Sequence, residues 1–101
     1  MEKKSDLDAT IQRISDNKGT IGVIITNEDG AAIRTTLDHP TTVQYSDMMR
    51  KMAVSTQNAV REINPEDDLR FLRIRTKKHE VMVAPDNGYM MIAIHDPSVD
   101  K

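Results

Sequence analysis

One stretch constrains the fold more than any other: Asn64-Pro65-Glu66-Asp67-Asp68, then Leu69–Thr76, a charged turn, and Glu80–Ala84. The proline pushes Asn64 out of the helical region, so a helix stops there and an acidic loop follows. The next run sets Arg70, Arg73 and Arg75 among Phe71, Leu72 and Ile74, the pattern of a strand at a sheet edge. An open edge is a template for pairing with another chain. A chain built this way is expected to pair.

At 101 residues, with 38% hydrophobic and 30% charged residues, one soluble domain spanning 1–101 is expected, its ends (1–4 and 97–101) fraying. A net charge of −2 gives no general pull toward nucleic acid or anionic membranes. The chain has no cysteine, and Met1–Asp6 lacks a signal peptide's apolar core, so a cytoplasmic location is expected. Three aromatics and no tryptophan make a lean core, with seven methionines taking up part of that work. A second copy would extend such a core.

Leu7, Ile11 and Ile14 form one apolar stripe, predicting a helix over Ser5–Lys18 with Ser5 as its cap and Gly19 as its left-handed stop. Thr20–Thr26 and Tyr89–His95 are nearly continuous apolar runs, as central strands are. Gly22 would let a helix approach the first of them. Ala31–Leu37 reads as a more polar strand after the turn Asn27-Glu28-Asp29-Gly30. A long helix follows Asp38-His39-Pro40, with Thr41 and Gln44 at capping-box spacing. Its stripe is Tyr45, Met49, Met52, Thr56, Ala59 and Ile63, with Val43, Val54 and Val60 lying off it. Asp86-Asn87-Gly88 is a tight turn. The expected fold is three-layer α+β: element order αββαβββ, with helices on both faces of a five-stranded antiparallel sheet of order 2-1-5-4-3. Strand 69–76 then lies at an edge.

Catalytic and ligand patterns are missing. His39, His79 and His95 have no metal-ligand spacing, the four glycines form no phosphate cradle, and nothing resembles a nucleophile elbow. No enzyme, metal or cofactor is expected. The basic run from Arg70 to Lys78 lacks the interleaved aromatics of sheet-based RNA binders, so no nucleic-acid partner is expected.

Together these segments resemble the roadblock type of dynein light chain, within the roadblock/longin-like superfamily. The resemblance is carried by Gly22-Val23-Ile24-Ile25, Asp29-Gly30, Pro40-Thr41-Thr42, Gln44-Tyr45 and above all the run from Asp68 to Asp86. It implies a homodimer whose sheets join at strand 69–76 into one of ten strands. The interface would draw on Tyr45, Met48, Met49, Met52 and Thr56 from the long helix and Phe71, Leu72, Arg73, Ile74 and Arg75 from the edge. It further implies a non-catalytic, microtubule-associated light chain that binds helical segments of the dynein intermediate chain and supports cargo transport. Longer relatives carry a C-terminal helix beyond the position of Pro97. Without it the face beside the first helix is expected to be partly uncovered, with Leu7, Ile11 and Ile14 as candidate partner-binding residues. Other roadblock-fold proteins serve as scaffolds or regulators of small GTPases, which is the alternative expectation. Two paired copies of strand 69–76 would also bring like-charged arginines together, an electrostatic cost.

Overall fold

Val23, Ile24, Ile25 and Thr26 are completely buried, four in a row, which puts their strand at the centre of a sheet covered on both faces. This is β1 (Thr20–Thr26), whose β-branched residues suit a pleated surface. In the computed structural model, which describes residues 4–86 and 88–100, β1 lies between β2 (Ala32–Thr35) and β5 (Tyr89–His95). Next to β5 comes β4 (Glu80–Asp86), and β3 (Leu72–Arg75) closes that side. All neighbours pair antiparallel, in the expected order β2-β1-β5-β4-β3.

The register explains the two faces. Ile24, Ile92, Val83 and Leu72 form one row across four strands, and Ile94, Val81 and Ile74 form the next. Both rows pack under α2 (His39–Ile63), whose Met49 and Ala53 complete the cluster. Val23 and Ile25 point the other way, to the face where α1 (Lys4–Ser15) packs on β1 and β2 with Leu7 buried. An ion pair from Arg34 Nε to Asp8 Oδ1, 2.6 Å, pins α1 to β2. Three layers result.

Several boundaries differ from expectation for identifiable reasons. The first helix ends at Ser15, and hydrogen-bonded turns carry the chain to Gly19 at φ +87°. It begins at Lys4, so Ser5 lies inside the helix and not at its cap. The cap of α2 is Asp38, not Thr41: its carboxylate accepts from the Thr41 amide at 2.9 Å, and Pro40 occupies the first turn, where its missing N–H costs nothing. The Leu37 side chain covers Gly22, so close that an added Cβ would stand 2.5 Å from Leu37 Cδ2. Over the described part of the tail, Pro97–Asp100 is a 3-10 turn, with Asp96 Oδ1 accepting from the Ser98 amide and hydroxyl. Asn87, residues 1–3 and Lys101 fall outside the described residues.

β3 is four residues long, not eight, and Pro85 explains its start. The Thr76 amide donates to the His79 carbonyl at 2.8 Å, so residues 76 and 79 form a hydrogen-bonded pair. Such pairs recur every second residue, which makes Ile74·Val81 and Leu72·Val83 the next two. The following one would join Arg70 to Pro85, and proline has no amide to donate. Pairing stops at Leu72 and residues 69–71 form an approach loop. Among the described residues, no helix is long and apolar enough to cross a membrane.

Candidate protein-docking surface

The same alternation determines what the open edge of β3 offers. The backbone groups of Leu72 and Ile74 are directed at β4, so those of Arg73 and Arg75 point away from the sheet. Their side chains stand on the α1 face, while Leu72 and Ile74 pack half-buried against the core under α2. The edge therefore presents two arginine peptide units as unpaired ladder positions. Glu80, opposite Arg75 in β4, has its carboxylate 3.8 Å from Arg73 Nε, which offsets part of the cationic charge. Arg73 also lies over the Phe71 ring, 5.7 Å from its centroid, and Phe71 is 51% exposed.

The helix residues expected at an interface divide into two groups. Met48 and Met52 are 54% and 41% exposed, and Met48 lines a shallow groove with Gln44, Tyr45 and Met49. Tyr45 is half-buried against the core cluster. Met49 is itself part of that core, 8% exposed, so its side chain is engaged within the protomer. Thr56 is half-buried and its hydroxyl donates to the Met52 carbonyl. The structure thus leaves Met48, Met52, Phe71 and the two edge arginines at the surface.

The α1 stripe is likewise engaged at home: Leu7 is buried and Ile11 and Ile14 are half-buried. Farther along the α1 face, Met82, Ala84, Met91 and Ala93 are half-buried on β4 and β5, beyond the strands α1 packs against. His79 and His95 both lie near Asp96, whose carboxyl is held below its ordinary pKa chiefly by hydrogen bonds from Ser98. Among the described residues, no group of three or more His, Asp or Glu could hold a metal ion.

One device escaped the sequence reading. Gln57 Oε1 accepts from the Leu69 amide at 2.5 Å, and its Nε2 donates to Asp68 Oδ1 at 3.1 Å. Arg61, one turn on, pairs with the same carboxylate and reaches the Asp67 carbonyl at 3.3 Å. The Arg61 guanidinium, by hydrogen bond and charge, holds the Asp68 carboxyl below its usual pKa. Together they fasten the approach loop of β3 to α2. The signal was present as polar residues four apart on α2 facing an acidic loop.

The open β3 edge, with its outward backbone groups, and the exposed methionines of α2 are surface features left uncovered among the described residues. The Roadblock/LC7 domain profile matches residues 6–96. The chain belongs to the Roadblock/LC7 family. Solved roadblock structures share its fold. The Roadblock/LC7 domain from Streptomyces avermitilis superposes with TM-score 0.77 at 11% identity, covering 87% of this chain and 73% of its own. The gliding protein MglB from Thermus thermophilus gives 0.79 at 9% identity, covering 98% and 78%. An MglB with tetrameric arrangement gives 0.78 at 9% identity, again covering 98% and 78%. At such identities the likeness establishes the roadblock fold alone.

Proposed function

We propose that this roadblock chain is a non-catalytic, cytosolic scaffold that pairs with its own copy through β3 and holds or regulates a small GTPase. The observation that carries the pairing is the open β3 edge, where the peptide units of Arg73 and Arg75 face outward beside Phe71. Two such edges, antiparallel about a two-fold axis, would satisfy each other's backbone groups and join the sheets. Exposed Met48 and Met52 supply adaptable apolar area for the same contact. A tetrameric arrangement in a protein of the same fold supports self-association.

Two clients fit the dimer. The GTPase reading leads because other roadblock-fold proteins serve as scaffolds or regulators of small GTPases, and the solved structures similar to this chain include the gliding protein MglB. The dynein intermediate chain is the second reading, favoured by the run from Asp68 to Asp86 that resembles the roadblock light chains. Affinity capture from cytosol with a tagged chain separates them. The expected eluate after a salt wash contains an untagged copy and a small GTPase. An untagged copy with dynein intermediate chain and no GTPase would move the client to the motor.

A further inference from the structure

A second surface lies at the turn end of the sheet, where a cleft of about 440 Å³ opens between α2 and three loops. Its floor is apolar. Ala53 and Met90 are buried there, Leu69 is half-buried, and Val54 stands at the mouth, 48% exposed. One wall is the β1–β2 turn, where Gly30 at φ +91° lies under the Arg50 stem; an added Cβ would collide with it. The opposite wall is the loop that Gln57 and Arg61 fasten to α2, so it is already in place without a ligand.

The lining carries two arginines, Arg50 and Arg70, and two carboxylates, Glu28 and Asp68. Asp68 is engaged by its ion pair with Arg61 and, more weakly, by the charge of Arg70, whereas Arg50 makes no ion pair among the described residues. Glu28 is the remaining carboxylate in the lining. With Asp68 engaged by Arg61, the cleft sets two guanidinium groups against one carboxylate, Glu28, above an apolar floor, which is complementary to a carboxylate next to an aliphatic side chain. A small inorganic anion would leave that floor wet, and a purely apolar segment would leave the excess positive charge unanswered.

We propose that the cleft docks a short acidic segment of a partner protein, with an aliphatic side chain over Ala53 and Met90 and carboxylates at Arg50 and Arg70. This rests on the reading of the chain as a docking module and names the chemistry of what it docks. Residues 50 and 54 lie about 200° around α2 from 48 and 52 respectively, at 3.6 residues per turn. The methionine flank and the cleft therefore lie on opposite sides of α2.

The test is titration of ¹⁵N-labelled protein with the peptide Ac-Glu-Leu-Asp-Leu-Glu-NH₂ and, separately, with Ac-Lys-Leu-Lys-Leu-Lys-NH₂. The acidic peptide is expected to shift the amides of Gly30, Val54, Gln57 and Tyr89 saturably, while the basic one does not. Arg50→Glu with Arg70→Glu should weaken the acidic peptide about fivefold or more, from two exposed ion pairs, and favour the basic peptide. Val54→Glu, at an exposed position, should block the site with the spectrum otherwise unchanged. Shifts confined to another surface, equal binding by the double variant, or no saturation would overturn the proposal. Sedimentation of the same samples keeps the two readings apart: a dimer with a silent cleft leaves self-pairing standing and removes the acidic segment.

Discussion

The Leu69 amide donates to Gln57 Oε1 across 2.5 Å, joining the middle of α2 to the last residues before β3. A side chain twelve residues away thus supplies the acceptor for an amide that no strand partner takes up. It satisfies the backbone of the approach loop and aims β3 outward along the sheet edge.

Gln57→Ala removes both the acceptor for Leu69 and the donor to Asp68. A loss of about 1–2 kcal/mol is expected, the typical cost of an unsatisfied part-buried donor. That lowers Tm by about 4–8 °C per kcal/mol in a domain of this size. Thermal unfolding at fixed protein concentration measures it. An unchanged Tm would mean the loop does not depend on this clip.

Gly22→Ala would place a methyl 2.5 Å from Leu37 Cδ2 and 2.6 Å from its Cγ, so the whole leucine side chain must move. Overpacking of this kind costs about 1–3 kcal/mol. In that background Leu37→Ala should cost less than it does alone, because it relieves the clash. Urea unfolding of the four proteins in the cycle reads the coupling, and strict additivity would show that Leu37 is not what Gly22 accommodates.

Acid should destabilise the fold through three carboxyls. Asp38 is held below its ordinary pKa by hydrogen bonds from the Thr41 side chain and amide, Asp68 by Arg61, and Asp96 by Ser98. A depressed folded-state pKa gives stability that is complete above the unfolded value, near 3.9, and is lost as pH falls through the folded one. Urea midpoints should therefore hold from pH 7 down to about pH 5 and drop below about pH 4. Asp38→Asn keeps a capping acceptor but removes one titrating group, so its midpoint should fall less steeply with acid. Parallel curves for the two proteins would count against Asp38 as a contributor.

The arrangement of layers was readable before the structure because β1 and β5 are continuous apolar runs that only a doubly covered sheet centre can bury. The edge position of β3 followed from its interleaved arginines. Its length did not, because the alternation of residues 69–71 is that of a strand and only register reveals that Arg70 would face Pro85. The cap was misplaced because Thr41 and Asp38 both have capping chemistry, and the choice depends on where the first turn closes. Met49 had the same status as Met48 and Met52 in the sequence. Met49 is turned to the sheet, while Met48, one position before it, and Met52, three positions on along the same predicted stripe, are left exposed. Gln57 was legible only as a polar residue on a helix flank, since its partners are brought to it by the turn after Pro65.

Charge at the paired edge gives a prediction specific to the two-fold arrangement. Within β3 only Arg73 and Arg75 direct backbone groups outward, so any such pairing sets arginine stems near their mates. Glu80 moderates that repulsion from 3.8 Å. Glu80→Gln should weaken the dimer a few-fold, by up to about 1 kcal/mol, and added salt should recover part of the loss by screening. Analytical ultracentrifugation across salt concentrations tests it. A variant dimer that weakens further with salt would point to some other contact.

The most direct test of pairing through β3 is sedimentation equilibrium of the wild type beside Arg73→Pro and Leu72→Pro. Proline at 73 removes an amide that faces the open edge, a place where strands tolerate it, whereas at 72 it removes one that bonds to β4. The account predicts a wild-type mass of twice 11.4 kDa, and a folded Arg73→Pro protein at 11.4 kDa. Leu72→Pro should lose fold stability itself. A monomeric wild type, or an Arg73→Pro protein that stays folded and dimeric, would contradict pairing through this edge.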